Sequence, residues 1–378
     1  KYEKINLYSY NEHCKMYYDS TQDGLDINGN EDKAEVIRVT YAGFQISAPS
    51  SFVTVETVSN YNDKGEITIA PNIAEVTRGT REATINVDFA NNYQENVSNV
   101  EVLGKIPFKG NTYINGNSLN SEYSVKMTEN GIKVPDELKD IAKVYYSEKE
   151  NPTKDLADSS NGWKLKENVS SFENIKTYLI VINNYDLIRG KKYSFNYTVS
   201  IPDDITFNKA SYACHTVYFK INTAGGTLES SVQPNKVGIR IVRYFDFDSL
   251  KYKEGTTLAV SGAVYMIYEI DEEENEVNGR IIRSTLEGKL FLDNLRVNQV
   301  YTFKEIQAPE NYELNSEIIK FKVIENSNKE LEFVLLSNSG FDGDVKLEKD
   351  ENGKDVLSTV VYDLPKLSLN INKSHSFS

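Results

Sequence analysis

Few side chains in this sequence have the types and spacing that catalysis or metal binding requires. Its 378 residues hold three histidines and two cysteines, and two of the histidines make adjacent pairs with the cysteines, His13-Cys14 and Cys214-His215. A structural zinc site takes four such ligands, and a cysteine nucleophile needs a positioned base. Neighbours on a strand point to opposite faces, and no third ligand or orienting group lies close in sequence to either pair, so neither is expected to do chemistry. A Cys14–Cys214 disulfide would join two different modules, unlike the closely spaced cysteines of stapled secreted domains, and is not expected. The stretch from Asp19 to Asp32 is dense in oxygen donors, the ligands Ca²⁺ takes, with Asp19, Asp23, Asp26, Asn28 and Asn30 as the candidate set. It carries Thr21 where EF-hand spacing wants Asp or Asn and lacks the closing Glu. A solvated turn is therefore the expectation and Ca²⁺ the alternative, and no other cofactor is implied. No Gly-rich phosphate loop or G-x-S-x-G elbow is present. Paired carboxylates occur in any chain this acidic, so a surface hydrolase stands only as a third reading.

The elements that would position these residues are strands. Tyr (25) and Phe (16) are abundant while Met (3) and Trp (1) are scarce, a bias toward half-buried sheets. Polar–apolar alternation runs through Ala83–Phe89, Lys191–Ile201 and Ile318–Ile324, and Thr177–Ile182 is apolar enough for a central strand. One short helix of about two turns is expected over Asp136–Lys143, after Pro135. No run approaches the ~18 apolar residues of a membrane helix. The 56 acidic against 42 basic residues give a net charge of -14 with no basic cluster, which argues against nucleic acid as a partner. The chain starts at Lys1 with neither a signal peptide nor a hydrophobic C-terminal tail, and so reads as an excised fragment.

Proline-containing punctuation at Ala70-Pro71-Asn72, Gln233-Pro234-Asn235-Lys236 and Asp363-Leu364-Pro365-Lys366 divides the chain. The expected modules are 1–71, the end of a preceding Ig-like repeat; 72–236, an Ig-like sandwich with a long insertion; and 237–365, a second sandwich. Residues 366–378 are then a linker and the first strand of a truncated next module. Two internal similarities support this division. Val237–Arg243 and Leu367–Lys373 share alternation ending in a cation, and His13–Tyr18 echoes Cys214–Phe219. The fold class is all-β, with tandem Ig-like β-sandwich domains in an elongated arrangement.

Within the third segment, Ser261-Gly-Ala-Val-Tyr-Met-Ile267 is followed by Ser284-Thr-Leu-Glu-Gly-Lys-Leu-Phe-Leu-Asp-Asn-Leu295 and Tyr301-Thr-Phe-Lys-Glu-Ile-Gln-Ala-Pro-Glu-Asn-Tyr312. In order and spacing it resembles the SpaA-like, or CnaB-type, domains of Gram-positive surface adhesins and pilins. Their hallmarks are a Gly-Ala-x-Phe strand, a Gly-initiated hairpin and a Glu-x-x-Ala-Pro-x-x-Tyr strand. Asn311 stands where the family has Gly, at a turn that Asn tolerates. The second segment is similar, less specifically, to the Ig-like repeats of the same proteins, through Asn91-Asn92, Val100–Pro107 and Tyr193–Pro202.

Many CnaB-type domains carry an amide cross-link between a Lys on the first strand and an Asn or Asp on the last, promoted by the Glu of the Glu-x-x-Ala-Pro motif. Burial favours a neutral amine as nucleophile and a protonated carboxyl that shuttles the proton, and the bond keeps a pulled chain from unzipping. The resemblance puts the acid on Glu305, the acceptor on Asp363 and the lysine position on Arg243. A guanidinium stays protonated and cannot attack a carboxyl carbon, so no bond is expected here, only a salt bridge of Arg243 with Asp363 or Glu305. Lys236 points to the other face and Lys251 falls beyond the strand, so neither is expected to substitute. Lys373 takes the lysine position of the truncated next module. Leu364-Pro-Lys-Leu-Ser368 begins like a sortase signal but lacks its Thr and Gly. The resemblance implies a non-enzymatic stalk or adhesin segment, extracellular and cell wall-associated, whose partners are adjacent modules of the same chain. The alternative is that 72–236 binds a host matrix protein or glycan through the insertion near Trp163, although Trp163 itself suits a core.

Overall fold

The computed structural model describes residues 51–61 and 65–366, together with the backbone of an antiparallel pair nearer the N-terminus, β1 (Lys15–Gln22) and β2 (Val36–Gly43). The described residues from Phe52 onward, 92–94 apart, form one compact unit, built from two β-sandwiches.

The first sandwich runs β3 (Phe52–Ser59), β4 (Ile67–Ile69), β5 (Ile73–Thr77), β6 (Glu82–Asn91), β7 (Asn96–Lys105), β8 (Lys126–Lys133), β9 (Ala142–Ser147), β10 (Lys164–Leu165), β11 (Thr177–Ile182), β12 (Lys192–Ser200), β13 (Ala210–Thr223), β14 (Gly226–Val232) and β15 (Val237–Val242). One sheet has the order β4-β3-β6-β12-β8, and the facing sheet β10-β9-β11-β7-β13-β15-β5, with β14 also on β13. The alternation read in sequence is realised: Ala83, Ile85, Val87 and Phe89 of β6 are buried, as are Tyr193, Phe195, Tyr197 and Val199 of β12. The apolar run of β11 is buried at every position. Each such large side chain contributes roughly 1.5–3 kcal/mol by leaving water.

Both expected boundaries of this module move. β3 and β4 pair with β6 and with each other, so the sandwich begins near residue 52 and not at 72. β15 pairs antiparallel with β13 and parallel with β5, so Val237–Val242 closes this domain and does not open the next. The expected helix is a single 3₁₀ turn, Asp136–Leu138, and a strand has begun by Ala142. Leu138 is its one buried residue, too little apolar face to sustain two helical turns. Trp163 packs partly buried beside Leu103, Leu179 and Val181 and donates its indole N–H to the Thr153 carbonyl at 2.9 Å, which pins the long insertion to the sheet.

The second sandwich follows without a linker: β16 (Tyr244–Lys253), β17 (Val264–Ile270), β18 (Glu276–Arg283), β19 (Lys289–Arg296), β20 (Val300–Gln307), β21 (Ile318–Glu325), β22 (Leu331–Leu335), β23 (Lys346–Lys349) and β24 (Asp355–Asp363). Its sheets are β19-β16-β24-β23 and β18-β17-β20-β21-β22. Phe247 packs between them on Phe303, Phe321 and Phe341. The first strand β16 and the last strand β24 lie side by side and parallel. Asn311 takes φ +68°, the left-handed turn geometry expected of the residue replacing Gly.

Arg243 sits between β15 and β16, at the seam of the two sandwiches. Its guanidinium pairs with Asp355 at 2.8 Å and Glu325 at 3.3 Å. Glu325 also receives a two-pronged bond from Arg78 of the first sandwich at 2.8 and 2.9 Å. Arg296 adds a bridge to Glu75 at 2.8 Å, and Asn208 one to Gln299 at 3.0 Å.

Candidate functional site

β16 alternates Phe245, Phe247, Ser249 and Lys251 on one face, all buried, so the sandwich interior receives the Lys251 side chain at the far end of the strand from the seam. β24 delivers Asp363 beside it and β20 delivers Glu305 from the facing sheet. The three side chains have no exposed surface. Lys251 Nζ forms an ion pair with Asp363 Oδ1, lies 3.5 Å from Glu305 Oε1, and hydrogen-bonds the Tyr265 hydroxyl. Gly288 holds the strand from behind: its carbonyl accepts the Lys251 N–H at 2.7 Å, and a Cβ there would come within 2.4 Å of the Lys251 carbonyl oxygen.

Burial pushes both carboxyls up from their ordinary range. For Glu305 this outweighs the Asn315 N–H bonded to Oε2 at 2.7 Å and the Lys251 charge; for Asp363 it outweighs Lys251. Both carboxyls therefore take up a proton readily, the state in which a carboxyl carbon is open to amine attack.

Glu305 and Asp363 do come together, but around Lys251 and not around Arg243. Arg243 touches neither: its carboxylates are Asp355 and Glu325, at the seam. The lysine that fills the position is Lys251, inside the strand and not beyond it. Taking Val237–Arg243 as the first strand of this domain displaced the lysine position by one strand. The signal was present in the Phe245-x-Phe247-x-Ser249-x-Lys251 alternation, which places the amine on the core face. Lys373, Asp23, Asp26, Asn28 and Asn30 lie outside the described residues, as does the side chain of Asp19.

The first sandwich holds a second buried ionisable pair. His215 of β13 faces Glu56 of β3 at 3.6 Å, both wholly buried. The Thr54 hydroxyl gives its one proton to the Asp88 carbonyl at 2.9 Å and so accepts from His215 Nε2 at 2.7 Å. Nδ1 is left facing the Glu56 carboxyl. Burial pushes Glu56 up, and the Cys214 thiol up as well. The orienting group missing from the sequence around Cys214-His215 is thus Glu56, brought in from a distant strand. Lys105, also buried, donates to Thr112 at 2.9 Å and Asn151 at 2.6 Å, but among the described residues no carboxyl lies within ion-pair distance of it. It anchors the insertion.

Residues 246–335 match the SpaA prealbumin-like fold domain. The match takes in Lys251 and Glu305 and stops short of β24 with Asp363. No curated protein sequence matches the chain. Among solved structures, the chain aligns with full-length major pilin SpaD of Corynebacterium diphtheriae at 13% identity, covering 84% of this chain and 66% of SpaD, TM-score 0.25. The group B streptococcus pilus 2b backbone protein aligns at 13% identity over 75% of this chain and 93% of its own, TM-score 0.23. BcpA, the major pilin subunit of Bacillus cereus, aligns at 8% identity over 93% and 78%, TM-score 0.24.

Proposed function

We propose that this chain is a tension-bearing segment of a Gram-positive surface pilus or adhesin stalk, and that its SpaA-like domain closes an amide between Lys251 Nζ and Asp363 Cγ with the help of Glu305. The observation that carries this reading is the sealed Lys251–Asp363–Glu305 cluster, which joins the first and last strands of a domain matched to the SpaA fold. The chemistry acts on the chain itself and calls for no external substrate. No helix among the described residues is long and apolar enough to cross a membrane.

Intact-protein mass tests the proposal. The purified chain should weigh one water less than its sequence, and fragmentation should show a branched peptide joining Lys251 to Asp363. A full sequence mass would overturn it.

A second reading, a ligand-binding first sandwich, is favoured by one observation. An outward groove of about 530 Å³ is lined by Val53, Val55, Ile67 and Ile69, with Asp88 and Lys192 at its rim. Binding to collagen, fibrinogen or an arrayed glycan that is lost on Ile67→Asp would support it.

A further inference from the structure

We infer that Tyr265 is a catalytic residue of the Lys251–Asp363 condensation, carrying the proton from Lys251 Nζ to Glu305. The inference rests on the cross-linking reading above and adds a fourth group to it. The problem it addresses is geometric. Lys251 must lose a proton before it attacks, but Glu305 Oε1 lies 3.5 Å from Nζ, beyond good hydrogen-bond range. The atom that does bond Nζ is the Tyr265 hydroxyl oxygen.

Tyr265 is built into position by the sheet. On β17 it lies directly across from Glu305 on β20, so the two side chains share the inner face. Its ring stacks on Phe303 at 4.5 Å with planes 6° apart, and only 3% of the residue is exposed. The position is the last of Gly262-Ala263-Val264-Tyr265, where the resembling family carries Phe; the hydroxyl is thus an addition, not a packing requirement. With its oxygen taken by Lys251, the hydroxyl has one proton to give. Glu305 Oε1, buried and with no hydrogen-bond partner, is the open acceptor on the same face. Burial and the nearby carboxylates also hold the phenol firmly neutral, so it passes a proton on without keeping a charge.

The step balances. Nζ gives a proton to the Tyr265 oxygen as the hydroxyl proton moves to Glu305. The neutral amine adds to Asp363 Cγ, forming the Nζ–Cγ bond, and the Cγ–O bond breaks. Both protons shed by Nζ leave on that oxygen as water, one of them returned by Glu305. Tyr265 and Glu305 end as they began, and no oxidant or outside reactant is consumed.

The test follows condensation in time. Full-length chain is made in a cell-free pulse, chased in buffer, quenched in acid at intervals and weighed, with far-UV circular dichroism confirming the fold. General acid–base groups contribute about 10²–10⁴-fold, and with Glu305 still near, Tyr265→Phe should slow the loss of water by at least ~10-fold. Glu305→Gln should not condense. Wild-type chain in mixed light and heavy water should give a curved proton inventory, because two protons move together; this second measurement does not depend on the variant folding. A Tyr265→Phe rate equal to wild type, or a linear inventory, overturns the role of Tyr265 and leaves the cross-link standing. Wild-type chain that never loses water overturns both.

Discussion

Replacing Glu305 with Gln should leave the SpaA-like domain folded, with the same packing and the same Lys251–Asp363 ion pair, but without the amide. The pair of proteins then isolates the covalent bond. Residues 251 and 363 enclose a loop of about 110 residues, and closing such a loop removes denatured-state entropy worth about 4.8 kcal/mol in the chain-entropy treatment. For a domain of about 120 residues this is about 15–20 °C in the unfolding midpoint. The ion pair left behind in the variant is wholly buried and loses little to solvent, so the difference should not be masked by a collapse of the site. Differential scanning calorimetry on the full chain, with intact mass recorded on the same samples, reads both quantities. If wild type is one water lighter than the variant's expected offset yet melts at the same temperature, the entropic argument is wrong. If neither protein has lost water, the cross-link is.

Other outcomes follow from the same contacts. Burial raises the Glu56 carboxyl above its unfolded value, so its contribution to stability is full below the unfolded pKa and is lost as pH rises through the raised one. The stability of wild type minus that of Glu56→Gln should therefore fall as urea titrations move from acid toward neutral pH. His215, Tyr178, Tyr197 and Cys214 surround that carboxyl and are the same in both proteins. Gly104→Ala would set a Cβ 2.1 Å from the Tyr178 ring, which is itself packed on Tyr197; a cost of about 1–3 kcal/mol is expected in the same titrations. Glu325→Ala removes the carboxylate shared by Arg78 and Arg243, and should lower stability by about 1–2 kcal/mol and split the calorimetric transition of the two sandwiches.

What could be read from the sequence was whatever is local. Strand alternation in β6, β12 and β21 and the apolar β11 need only neighbours to be recognised, and the Glu305 and Asp363 motifs keep their spacing within one strand. What could not be read was pairing at a distance. β5 and β15 come from opposite ends of the first sandwich and pair parallel, so prolines near 71 and 234 marked turns inside a domain and not its limits. That error carried the lysine position from Lys251 to Arg243. The Glu56–His215 pair was hidden for the same reason: each residue is unremarkable in its own strand, and only the packing of one sheet on the other makes them partners.

With the Lys251–Asp363 amide in place, the polypeptide is a lariat and no longer a line. Everything from Tyr252 to Tyr362 becomes the closed ring, and the backbone leaves it in two tails. A protease that cuts an exposed turn of the ring, such as Glu272–Asn275 or Asn326–Lys329, opens the ring without separating the tails. The N-terminal and C-terminal parts stay joined through β16, the amide and β24. The cross-linked chain can thus lose a peptide bond anywhere along that stretch and remain one molecule.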